Sequence, residues 1–233
     1  MNIGRSQAGS LVRLTSGIPG LDEMIEGGLP FPSVVLVAGA AGTGKTTFAL
    51  RFLTEGAAKG ERGLLFTTLS EPTQWMLRYA SQFEFVDPDL FGDAIVYHDL
   101  GTVIREAEPS ELLRIMEDRI AEVMPQRIVI DPLSVLGDML VGNYRSFLFD
   151  LTNRLKNWNA TTLVTGEVPP GELYPAEISY AVDGIILLMM SEEEGARRKY
   201  LEVLKMRGTA HMTEKRSIDI NRQEGIVVLR SRF

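Results

Sequence analysis

Apolar residues along this chain fall into two alternating spacings. Residues 33–38 (Ser-Val-Val-Leu-Val-Ala), 63–69, 94–97, 127–131 and 161–165 are short, β-branched, nearly unbroken apolar runs. Runs of that kind are strands buried on both faces. Between them lie segments of helical period. Residues 47–58 bring Phe48, Phe52 and Leu53 to one side, and residues 110–124 do the same with Leu112, Leu113, Met116, Ile120 and Val123, opened by Pro109. Residues 71–83 read as a helix with Trp75, Leu77, Tyr79 and Phe83 mostly in the core, and residues 147–158 as another. The pattern then changes. Residues 184–190 and 200–206 are strands joined by the charged segment 192–199 with Gly195 at its centre, and 216–220 with 226–229 form a closing hairpin. The expected fold is α/β: a mostly parallel twisted sheet flanked by helices, with a C-terminal antiparallel extension.

A chain of 233 residues has room for one such domain and a sizeable core. Residues 1–14 read as an N-terminal segment and 15–233 as a single domain. No cysteine is present, which removes disulfides and thiolate metal sites and is compatible with a cytoplasmic location. A net charge of −7 argues against a uniformly basic nucleic-acid surface. No run of 18 apolar residues occurs, so no membrane-spanning helix is expected, and residues 1–10 lack the apolar centre of a signal peptide.

The chemistry enters at Gly39-Ala-Ala-Gly-Thr-Gly-Lys-Thr46, a match to G-x-x-x-x-G-K-[ST]. Glycines let successive backbone N–H groups turn inward around a polyphosphate. The residues expected around the phosphates are Ala41, Gly42, Thr43, Gly44, Lys45, Thr46 and Thr47. Lys45 would set a point charge on the β- and γ-phosphates, and Thr46 a hydroxyl on Mg²⁺. A strand precedes the loop and a helix follows it, so the helix N-terminus faces the bound anion. The implied ligands are ATP and Mg²⁺.

Asp131 ends the apolar run 127–130 and should stand at the carboxyl edge of a central strand, where ligands bind in open α/β sheets. It is the expected metal partner. The competing reading is a turn cap, since Pro132 follows. Glu71, just past the second strand, is the candidate general base for water; the competing reading places Ser70 as a helix cap and Glu71 on the helix dipole. Thr165 to Glu167 follow another strand and are candidate sensors of the γ-phosphate.

Together these residues resemble the RecA superfamily and, within it, the KaiC-like ATPases. The resemblance rests on four motifs in order: residues 15–30 leading to the phosphate loop at 39–46, then 66–71 (Phe-Thr-Thr-Leu-Ser-Glu), 128–131 (Ile-Val-Ile-Asp), and 204–212 (Leu-Lys-Met-Arg-Gly-Thr-Ala-His-Met), similar to K-x-R-G-[ST]-x-H. It implies a RecA-like P-loop NTPase fold and an ATPase whose nucleotide lies between subunits of a homo-oligomer, often a hexameric ring. It further implies that Lys205 and Arg207 reach the adjoining subunit's γ-phosphate, that His211 assists, and that Lys199, Ile220 and Arg222 line the base and ribose pocket. Read from the residues alone, Lys205 and Arg207 are alternate positions of one strand and equally fit a solvated face. KaiC-like domains usually carry two adjacent glutamates after the second strand. Ser70 stands at the first position here, so ATPase activity is expected and its rate is left open. The Ser-Thr phosphorylation segment of clock members is not seen, and their autokinase role is not carried over. A regulatory or signalling ATPase with unidentified protein partners is the expectation.

The alternative is a recombination-associated DNA-binding ATPase like RecA or RadA. Its strand-binding segments would be residues 137–145 and 168–180. The second holds no lysine or arginine, whereas a strand-binding loop needs cations and stacking platforms. Nucleic acid is therefore disfavoured.

Overall fold

The computed structural model describes residues 11–68, 73–140, 143–168, 172, 176–193 and 195–230. In chain order the elements are β1 (Val12–Leu14), α1 (Leu21–Met24), β2 (Leu29–Phe31), β3 (Ser33–Gly39), α2 (Lys45–Ala58), β4 (Gly63–Thr67), α3 (Thr73–Ala80), β5 (Ile95–Asp99), α4 (Pro109–Val123), β6 (Arg127–Asp131), α5 (Ser134–Met139), α6 (Tyr144–Asn157), β7 (Thr161–Gly166), α7 (Ala176–Ser179), β8 (Gly184–Glu193), β9 (Ala196–Met206), β10 (Arg216–Asn221) and β11 (Gly225–Val228). Among the described residues, nine strands form one sheet in the order β11-β10-β9-β8-β3-β7-β6-β4-β5. From β8 to β5 every pairing is parallel, and β9, β10 and β11 add antiparallel. This is the expected parallel sheet with its antiparallel extension, and the predicted hairpin turn at Gly195 has φ +77°.

Each face of the sheet carries its own core. Val34, Leu36 and Ala38 of β3 pack with α4 and α6. Val35 and Val37 pack on the other side with α2 and the C-terminal strands. Burying side chains such as Phe48, Phe52 and Leu53 contributes about 1.5–3 kcal/mol each, and all three are fully buried on α2. That holds the helix rigidly beneath the loop that precedes it.

One expectation needs correction. Trp75 and Tyr79 of α3 are exposed, at 50% and 61%, while Phe83 reaches the core as expected and Met76 and Ala80 take the place of the other two aromatics. An edge helix buries one narrow stripe, and here Met76 and Ala80, four residues apart, define it; the aromatic side faces out. Residues 12–14 also pair with the fold. β1 pairs with β2, and Arg13 bonds Glu26 at 2.9 Å and Thr209 at 3.0 Å. The short β1 and β2 and the one-turn helices α1 and α7 are too brief for any period to register.

Candidate nucleotide-binding site

β3 delivers the chain at Gly39 to the start of α2, and the loop between them turns through two glycines of positive φ, Gly42 (+76°) and Gly44 (+108°). Gly39 admits no side chain: a Cβ there would lie 2.3 Å from the Leu188 carbonyl. Thr43 is buried and its hydroxyl donates to the Ala40 carbonyl at 2.8 Å, bracing the turn. Ala41, Gly42 and Thr46 are exposed, Gly44 and Thr47 half-buried, at the mouth of the loop. Lys45 is buried; its ammonium donates to the carbonyls of Gly39 (2.8 Å) and Ala40 (3.0 Å). Burial pushes its pKa down, against the pull of Glu167 and Asp131, so both carboxylates lie near enough to act on it. A partly dehydrated ammonium is a strong anion ligand once a phosphate replaces the two carbonyls.

Asp131 stands at the carboxyl edge of β6, directly beside Thr67 of β4. The Thr165 hydroxyl at the end of β7 donates to its Oδ1. The Asp131 carboxylate is oriented from the neighbouring strand, on the loop's side of the sheet. Among the described residues no cluster of three or more His, Cys, Asp and Glu cages an ion. One carboxylate with one hydroxyl is the donor set Mg²⁺ uses when phosphates and water supply the rest, so Asp131 and Thr46 fit that ion.

The C-terminal hairpin forms the outer wall. A Cβ on Gly44 would meet Ile220 Cδ1 at 2.7 Å, and the Lys199 ammonium donates to the Gly42 carbonyl at 2.9 Å. Gly42, Gly44, Lys45, Thr46, Thr47, Lys199 and Ile220 line an open cavity of about 330 Å³. Residues far apart in sequence thus meet where the motif places the phosphates.

The family model described as "ATPase: KaiC" matches residues 14–232. The chain belongs to the KaiC family of ATPases. A UPF0273 protein of Pyrococcus horikoshii is 32% identical over 93% of this chain and 93% of its own length, and one of Thermotoga maritima 30% identical over 93% and 95%. The circadian clock protein KaiC3 of Synechocystis is 34% identical over 93% of this chain, which spans 44% of that protein. The crystal structure of a KaiC-like protein from Pyrococcus horikoshii superposes with a TM-score of 0.82 at 31% identity, covering 94% of this chain and all of the other. Membership carries the RecA-like fold and nucleotide binding of an ATPase domain.

Within this KaiC-family domain the remaining candidates scatter. Lys205 and Arg207 stand at the far end of the central strands: β9 reaches Gly184 at Met206, and Gly184 pairs with Val35, whereas the loop begins at Gly39 opposite Leu188. The five residue steps from Val34 to Gly39 span roughly 16 Å. These two cations therefore do not meet their own chain's loop. Lys205 donates to the carbonyls of Ser179 (3.0 Å) and Val182 (2.6 Å), and Arg207 pairs with Asp183 at 3.0 Å. His211 lies beside the Thr209 carbonyl, 3.3 Å from Nδ1. Arg222 is exposed in the β10–β11 turn, its carbonyl accepting from the Glu84 amide at 2.8 Å. Ser70 and Glu71 lie outside the described residues. Thr165 was legible as a candidate γ-phosphate sensor beyond a strand; its bond to Asp131 needed the β6–β7 neighbourhood. Asp183 gave no motif signal.

Proposed function

We propose that this protein is a Mg²⁺-dependent ATPase of regulatory or signalling role whose active sites are completed between subunits of a homo-oligomeric ring. The observation that carries the reading is the cavity in which Lys45, Lys199 and Ile220 converge on the glycine loop while Lys205 and Arg207 stand at the opposite end of the sheet. A subunit with its phosphate loop at one end and Lys205 and Arg207 at the other suits head-to-tail assembly.

In this mechanism the loop amides and Lys45 bind the triphosphate, and Lys45 exchanges its two carbonyls for phosphate oxygens. Thr46 and Asp131 would hold Mg²⁺, which would supply positive charge against the triphosphate. Thr165 keeps the Asp131 carboxylate aimed at the loop. Glu71 accepts the proton of the attacking water as its oxygen bonds to the γ-phosphorus and the bond to the β–γ bridging oxygen breaks. Lys205 and Arg207 of the adjoining subunit stabilise charge growing on the transferred group.

The test combines two variants with calorimetry and turnover. Lys45→Ala is expected to weaken ATP binding by at least a hundredfold (about 2.7 kcal/mol) with unchanged far-UV dichroism. Glu71→Gln is expected to bind ATP normally and retain it unhydrolysed. Wild-type hydrolysis in Glu71→Gln would remove Glu71 as the base, and undiminished affinity in Lys45→Ala would remove the loop as the site.

A further inference from the structure

Residues 179–183, between α7 and β8, gather three cations. Lys205 bonds the carbonyls of Ser179 and Val182, Lys156 donates to the Ala181 carbonyl at 2.6 Å, and Arg207 Nη1 lies 3.0 Å from Asp183 Oδ1. Lys156 approaches that same Oδ1 at 3.4 Å. Three like charges repel unless something holds them, and Asp183 is the carboxylate set among them.

Asp183 is itself fixed with unusual completeness. Its Oδ2 accepts the Val34 amide at 3.0 Å, and its own amide donates to the Val34 carbonyl at 2.7 Å. Its carbonyl accepts the Arg207 amide at 2.9 Å. Backbone and side chain of Arg207 are both referred to Asp183, and Asp183 is referred to the first residues of β3. The other end of that strand carries the phosphate loop. A rigid strand thus sets the spacing between the cations a subunit would lend and the nucleotide it would hold.

We infer that Asp183 is a positioning residue that pre-orients Arg207, and with it Lys205, for the nucleotide of the adjoining subunit. This rests on the proposed action of those two cations in trans. An ion pair whose arginine is 55% exposed adds little to stability. It does remove rotamer freedom from a side chain that must meet a developing charge, and a cation already in place costs nothing to reorganise when charge develops. One guanidinium nitrogen is committed to Asp183, and the fork geometry leaves others to face a phosphate. Asp183 has a second effect on Lys205. Burial first, then Arg207 and Lys156, push the Lys205 pKa down, and Asp183 pushes it up.

The experiment is steady-state ATP turnover by the full chain with Asp183→Asn, Arg207→Ala and the double variant, alongside mass by light scattering with ATP. Asparagine retains a carbonyl for the Val34 amide and loses the charge. The expected result is kcat lowered about tenfold to a hundredfold by misplaced cations, KM for ATP within about twofold, mass unchanged, and the alkaline limb of the rate moved to lower pH. At a pH below that limb, where Lys205 stays charged in every variant, the double variant is expected to be no slower than Arg207→Ala, because Asp183 then acts through Arg207. Wild-type kcat in Asp183→Asn, or losses that multiply in the double variant, would overturn the inference while leaving the trans site intact. Wild-type kcat in Arg207→Ala would instead bring down the trans site and the inference with it. Should Asp183→Asn not fold, Asp183→Glu keeps the charge and displaces it by one methylene. It is expected to lower kcat with an unmoved pH limb, and wild-type kcat there would count against the positioning role.

Discussion

The Asp131–Thr165 pair shows how one hydroxyl orients a strand-end acid. Asp131 is half-buried at the end of β6, and a single hydroxyl from β7 aims it. Thr165→Val keeps the shape and the fully buried packing of that position but removes the donor. A hydrogen bond to a charged group is worth about 1.5–3 kcal/mol. Titration of the ATP-loaded protein with Mg²⁺ is expected to show affinity lowered roughly tenfold, with ATP binding without metal unaltered. Equal metal affinity in both proteins would show that Asp131 needs no such guidance. Gly44 is the second residue whose identity is dictated locally, by its φ of +108° and by Ile220 closing over it.

At the scale of elements, Arg127 ties the base of the site together. It opens β6, is fully buried, and donates to Glu61 at 2.5 Å and to the carbonyls of Thr15 and Phe52, each at 2.8 Å. Its guanidinium also lies 4.5 Å from the centre of the Phe52 ring. One side chain therefore links β6, α2 and the segment entering the fold, and Gly56 of α2 leaves the space it fills. Arg127→Ala strands Glu61 and both carbonyls. Unfolding in urea is expected to show a loss of about 3 kcal/mol or more, seen as a lower midpoint at constant slope. An unchanged midpoint would mean that water replaces the guanidinium at no cost. The elements around this hub were legible in sequence where they are long or continuously apolar: β6 spans the residues its pattern indicated, and α4 buries all five residues of its predicted stripe. α3 was misread because its aromatics suggested burial, whereas an edge helix hides only the side holding Met76 and Ala80.

For the whole molecule, the separation of the loop from Lys205 and Arg207 has a thermodynamic consequence. If ATP touches two subunits, it binds the assembled form more tightly, and mass action then couples nucleotide to assembly. Light scattering at fixed protein concentration is expected to show a rise in mass on adding ATP with Mg²⁺, reduced in Lys205→Ala. The same mass with and without ATP would argue for sites complete within one chain.

The amino-acid sequence by itself determined the strand–loop–helix unit, the parallel sheet with its antiparallel extension, and the cation on the phosphate loop. These follow from local causes: glycine's backbone freedom, the spacing of apolar residues, and a short motif whose parts are adjacent in the chain. Only the tertiary structure decided that Lys199 bonds the Gly42 carbonyl and Ile220 closes over Gly44, that Thr165 bonds Asp131, and that Asp183 pairs with Arg207. Each of those contacts joins residues far apart in the chain, and strand order and register, which no local pattern carries, set which side chains meet.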